Sequence, residues 1–259
     1  IINQGLTLVD AKNSLLFLKA NLLLLMDRYD SASKIINDLY ADYPNNQRII
    51  DLKGQLDLKQ GKPEQAVNKF SSLYAENPTN KYALKWAQAN IKNNNVKEAV
   101  RILEKHESLQ ELSSANKALL AELLLEINPE KSKKLYLGLN EKHPNNIAVL
   151  NNLAWAYYNL EDTASALPYA EQAYNVSKSS TTLDTYATIL LSNDKGSEAV
   201  ELINHSENSA LLNDSLKLTL IESYLATNQI TEAKKVFSEF IQISDDLKER
   251  YNKVSNQIN

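Results

Sequence analysis

Small residues stand at Ala32, Ala66, Ala99, Ser132, Ala166, Ala199 and Ala233, separated by 34, 33, 33, 34, 33 and 34 positions. A fixed period of that length describes a chain made from one small unit repeated, each unit too small to bury its own apolar face and so stacked on its neighbours. Four residues after each small residue comes a large apolar or aromatic side chain, namely Ile36, Phe70, Leu103, Tyr136, Ile203 and Phe237, with Ala170 as the exception. That is the spacing of one helix face. Twelve residues before each small residue lie Ala20, Gly54, Ala87, Leu120, Ala154, Ala187 and Ile221. Two antiparallel helices approach to about 8–10 Å only where the crossing carries little bulk. The paired positions therefore read as the two sides of a helical hairpin, with Leu120 and Ile221 as the bulky departures.

Turn residues fall between the two positions: Gln60-Gly61-Lys62, Asn93-Asn94-Asn95, Asn128-Pro129, Ser192-Asn193-Asp194 and Asn228. They suit a left-handed residue ending the first helix. Asp30, Asn95, Asp162 and Thr231 are placed to cap the second. Between units the stops recur as Tyr43-Pro44-Asn45-Asn46, Asn77-Pro78-Thr79-Asn80 and His143-Pro144-Asn145-Asn146, where proline excludes helical geometry before it and asparagine can cap the next helix. Each unit reads helix, tight turn, helix, stop, and no strand is predicted.

Composition narrows the function classes. With only five glycines and six prolines, a glycine-rich phosphate cradle is not expected, and a net charge of −4 argues against a nucleic-acid partner. Zero cysteines exclude disulfides and thiolate sites. No run approaches the roughly 18 apolar residues of a membrane span; the densest, Leu22 to Met26, is far shorter.

The set Leu153-Ala154, Tyr157, Ala166 and Ala173, with Gly54, Gly61, Ala66, Phe70 and Pro78, resembles the tetratricopeptide repeat. The resemblance implies an all-α fold, a right-handed superhelical solenoid of antiparallel helix pairs. Seven hairpins are expected over 13–244, starting near Asn13, Gln47, Asn80, Ser113, Ile147, Ser180 and Asp214. Leu39 and Leu73 depart from the motif by replacing its usual small residue. Residues 245–259, with one narrow apolar stripe at Leu247, Tyr251, Val254 and Ile258, read as a capping helix. Residues 1–12 read as the remnant of a preceding repeat, because Ile2 falls one period ahead of Ile36, and further repeats are expected upstream. A finer resemblance, carried by Val149 to Tyr157, Leu183 to Ala187 and Glu198 to Leu202, is to the carboxy-terminal part of bacterial tetratricopeptide lipoproteins of the PEP-CTERM exopolysaccharide and protein-sorting system. It implies an envelope or periplasmic setting.

No catalytic constellation is legible. His106, His143 and His205 fall near the ends of second helices in three different units and read as helix-end residues favoured by the dipole rather than metal ligands. Glu122, Glu126, Asp184 and Glu222 read as a solvated face. No cofactor and no enzymatic activity are expected. A repeat stack offers instead a wall lined by its first helices. Register places Asn21, Asp51, Gln55, Lys81, Lys85, Gln88, Lys117, Asn151, Asn152, Trp155, Tyr158, Asp184, Thr188 and Glu222 on that wall.

Asn21, Lys81 and Lys85 match three of the five positions with which some relatives clamp a terminal carboxylate, whereas Phe17 and Leu52 occupy the other two and cannot donate. Trp155 and Tyr158 beside Asn151 and Asn152, with Asp184 on the next unit, have the composition of a peptide hot spot and equally of a sugar platform. Asn152 also reads as a packing residue. The sequence thus predicts a scaffold for a protein or peptide segment, in an envelope assembly such as exopolysaccharide or surface-protein export. A polysaccharide ligand, a purely spacing role and pairing with a second copy remain alternatives.

Overall fold

The computed structural model describes residues 8–205 and 212–258, with side chains from Lys12 onward. Every regular element among them is helical. The chain forms two compact units, Ile1–Asn116 and Lys117–Asn259. The first holds α1 (Leu8–Leu25), α2 (Tyr29–Asp42), α3 (Gln47–Lys59), α4 (Pro63–Glu76), α5 (Asn80–Lys92) and α6 (Val96–Glu107). The boundary falls inside α7 (Ser114–Leu123). After it come α8 (Pro129–Lys142), α9 (Ile147–Tyr158), α10 (Thr163–Val176), α11 (Ser180–Ser192), α12 (Gly196–Asn204), α13 (Asp214–Ala226), α14 (Ile230–Phe237), a short 3-10 turn at Asp245–Leu247 and α15 (Lys248–Ile258). Of the preceding-repeat remnant expected at 1–12, residues 1–7 lie outside the described residues, while Leu8 to Lys12 belong to α1, continuous with the first expected hairpin.

The period is the packing. All seven small second-helix residues, from Ala32 to Ala233, have no exposed surface, and their first-helix counterparts are buried too. Where one side of the crossing is bulky the other gives way. A Cβ on Gly54 would sit 2.8 Å from the Phe70 ring, so glycine is what admits Phe70. Opposite Leu120 stands Ser132, whose hydroxyl is buried and donates to the Ala121 carbonyl at 2.7 Å. The large residues one turn on, Ile36, Phe70, Leu103, Tyr136 and Ile203, are buried as well; Phe237 is half-buried and stacks on Tyr251 at 4.8 Å.

Six hairpins turn through a left-handed residue: Asp27, Gly61, Asn94, Glu161, Asp194 and Asn228, with φ between 56° and 70°. In each, the next residue's N–H returns to a first-helix carbonyl five residues back, as from Arg28 to Leu23 and Lys62 to Asp57. This is a Schellman closure. The fourth hairpin departs from expectation. Asn128 is not left-handed (φ −151°) and instead caps α8 by accepting from the Lys131 N–H.

The expected caps hold only in part. Asn46, Asn146 and Asp162 accept from the helices they precede, but Thr79 rather than Asn80 caps α5. Asp30 and Thr231 lie inside their helices, and Asn95 stands at the cap position without a side-chain bond. In the stripe of 245–258, Val254 and Ile258 are buried while Leu247 and Tyr251 are half-buried.

His106 corrects the helix-dipole reading. It has no exposed surface, and its Nε2 accepts from Gln110 at 2.9 Å, which leaves Nδ1–H to donate to Tyr74 at 2.9 Å. Burial holds its pKa below the ordinary histidine value. A neutral buried ring gains nothing from a helix terminus. His143 and His205 do sit at helix C-caps.

Candidate partner-binding site

Five positions per first helix decide the polar wall: six, three and two residues before the buried small position, one after it and four after it. In the first unit they bring together Asp51 and Gln55 of α3 with Lys81 and Lys85 of α5. Asp51 is almost wholly buried (5% exposed), pairs with both lysines, and accepts from the Gln55 amide at 3.1 Å. Burial pulls Lys85 below its ordinary pKa despite Asp51. Lys81, more exposed, is raised because Asp51 and Tyr82 outweigh its burial. The lysines expected to clamp a partner's carboxylate thus hold a carboxylate of the chain itself. Gln88 is exposed and Asn21 half-buried; neither joins this cluster.

In the second unit the same positions open onto a cavity of about 790 Å³. Five residues named from sequence line it: Trp155, Tyr158, Asp184, Thr188 and Glu222. Trp155 and Tyr158 meet edge to face, centroids 5.1 Å apart. The indole N–H donates to the buried Thr185 at 3.1 Å, fixing the ring while leaving it half exposed. Asp184 accepts from Ser215 at 2.6 Å and Thr219 at 2.5 Å. Across the cavity Arg250 of α15 grips both oxygens of Glu222, at 2.8 and 2.6 Å, and donates to Thr219 at 2.7 Å. Burial alone would pull Arg250 down, but Glu222, with Asp184 and Tyr158 behind it, holds it above its ordinary pKa.

Asn151 and Asn152 do not line the cavity. Asn151 is buried. Asn152 donates to the Tyr136 hydroxyl at 2.9 Å, the packing role; burial pushes that hydroxyl up to about 12. Sequence reasoning missed Ser215, Asp246, Glu249, Arg250 and Lys253, which also line the cavity. A signal existed: Val254 lies 33 residues after Ile221, so α15 continues the register as one more first helix. Among the described residues, no three His, Asp or Glu side chains stand together as a metal site, and no helix is long and apolar enough to cross a membrane.

Comparison with known proteins now bears on the repeat. Tetratricopeptide-repeat profiles match residues 57–123 and 147–180. Those two stretches carry tetratricopeptide repeats. No curated protein matches the sequence. Solved structures match in fold at low identity. A tetratricopeptide repeat protein from Parabacteroides merdae is 17% identical with a TM-score of 0.58, over 85% of this chain and 86% of that one. PilW, described as a widely conserved type IV pilus biogenesis factor, is 11% identical with a TM-score of 0.69, over 80% and 98%. YrrB, described as a tetratricopeptide-repeat protein with an unusual peptide-binding site, is 14% identical with a TM-score of 0.53, over 63% and 85%. These likenesses establish an all-α fold of tetratricopeptide-like helix pairs.

Proposed function

We propose that the chain is a non-catalytic scaffold that binds a protein or peptide segment in the cavity between α9, α11, α13 and α15. The observation that carries this reading is the Trp155–Tyr158 pair, held rigid by Thr185 and facing a cavity large enough for several side chains. A fixed aromatic with a polar rim is the composition of a binding hot spot. YrrB, a chain of similar fold, is described by its peptide-binding site, which supports a peptide ligand, and helical-repeat walls bind by shape and a few anchors. The resemblance to PEP-CTERM lipoproteins supports a finer setting, an envelope or periplasmic assembly for exopolysaccharide or surface-protein export.

The test is affinity capture from cells of the source organism with the chain and with a Trp155→Ala, Tyr158→Ala version, reading both proteins and polysaccharide. A protein partner lost with the double change supports the scaffold. Retention of polysaccharide alone, with a saturable change in tryptophan fluorescence, replaces it with a carbohydrate-binding module. A partner retained by the double change removes the cavity from the account.

A further inference from the structure

Asp51 and Asp184 occupy the same place in their repeats, each three residues before the buried small position, Gly54 and Ala187. The next repeat sets different residues against them. Opposite Asp51, the places six and two residues before Ala87 hold Lys81 and Lys85, and both pair with it. Opposite Asp184, the same places before Ile221 hold Ser215 and Thr219, which satisfy its oxygens with neutral hydroxyls and leave its charge. Arg250 feels the Asp184 charge through Thr219 but makes no bond to it, because its fork is spent on Glu222 and Thr219. Asp246 and Glu249 line the same cavity, and among the described residues neither forms an ion pair. Four carboxylates thus face the cavity against Arg250 and Lys253.

We propose that the cavity receives a cationic side chain, a lysine or arginine of a basic peptide segment, set against Asp184 as Lys85 is set against Asp51. This rests on the scaffold reading and adds the charge of the partner. The Trp155 and Tyr158 rings suit the same ligand, since an aromatic ring attracts a cation and packs its alkyl stem. Arg250, seated on Glu222 and Thr219, is the chain's own example of a cation held on this wall.

The probe is a short fluorescein-labelled peptide alternating lysine and serine, with a glutamate–serine peptide beside it, titrated against the whole chain by fluorescence anisotropy. The lysine peptide binds, more weakly as salt rises, and the glutamate peptide does not. Ser215→Lys copies the place of Lys81, neutralises Asp184 from within, and weakens binding about tenfold or more. Ser215→Gln, with bulk and no charge, weakens binding by clearly less than Ser215→Lys does. Circular dichroism checks that both variants fold.

Equal losses from the two variants would assign the effect to bulk and overturn the inference, as would equal binding of the two peptides. If cellular capture still depends on Trp155 and Tyr158 while the lysine peptide fails to bind, the scaffold stands and the cationic ligand falls.

Discussion

Asp51 and Asp184 sit at one repeat position and end in opposite states. In the first unit the carboxylate is paired with two lysines from the first helix of the next repeat and contributes to the fold. In the second it is bound only by hydroxyls on the wall of an open cavity. The helices, turns and small-residue crossings are alike in both, so the scaffold does not decide which repeat can bind. Two substitutions in the next repeat's first helix, lysine against serine and lysine against threonine, separate a closed polar patch from an available one.

The largest effect should come from breaking the closed patch. Asp51→Asn leaves the half-buried Lys85 beside Lys81 with no counter-charge, and breaking a buried pair from one side costs about 3 kcal/mol or more. Asp184→Asn removes a charge bonded by two neutral hydroxyls that can turn to the amide, for a loss of about 1 kcal/mol. Hydrogen exchange resolved along the chain reads each unit separately, where one melting curve would average them. Comparable losses at the two sites would erase the distinction.

A second pair of changes tests what the units share. Ala66→Leu and Ala166→Leu each push bulk into a crossing that has no exposed surface, and each should cost about 1–3 kcal/mol. Lys97→Ala, on an exposed part of α6, should cost little. Urea unfolding followed by circular dichroism is sufficient. A marked difference between the two alanines would mean that the crossings are not equivalent.

This division explains what is legible in the sequence. The seven buried small residues keep their period because two helices in close contact tolerate no alternative at that point. Register alone also places Trp155, Tyr158, Asp184, Thr188 and Glu222 on one wall. The pairing of Lys81 and Lys85 with Asp51 is not legible, because an inward-facing charge looks the same in sequence whether its partner is external or internal. Arg250 escapes notice because the apolar stripe of α15 dominates its reading. Asn128 misleads because the left-handed place and the cap place are neighbours, and asparagine suits both. His106 misleads because a histidine near a helix end reads as dipole-stabilised, while Tyr74 and Gln110, which bury it, are far from it or inconspicuous in the chain.

Acid should separate the units next. His106 is held neutral in the first unit, its pKa depressed by burial, whereas the unfolded chain takes up a proton at about pH 6.5. The unfolded state therefore binds more protons as pH falls below that value, and stability falls with it until the folded pKa is also passed. The slope cannot exceed about 1.4 kcal/mol per pH unit for one group. Hydrogen exchange around α4 and α6 at pH 7 and pH 5 should show faster opening at the lower pH, and His106→Gln should flatten that part of the profile.

The smallest effects lie in the turns, where equivalent positions carry different residues. Gly61 in the first unit and Glu161 in the second both adopt left-handed geometry, at φ 70° and 61°. Only glycine enters that region without a Cβ penalty. Glu161→Gly should therefore stabilise the second unit by up to about 1 kcal/mol, and Gly61→Ala, with open space around the added carbon, should cost the first unit a similar amount through backbone strain alone. Thermal unfolding of the two variants checks the signs. If Glu161→Gly destabilised the protein, the glutamate side chain would be contributing more than the backbone strain it imposes, and that turn would not be equivalent to the one at Gly61.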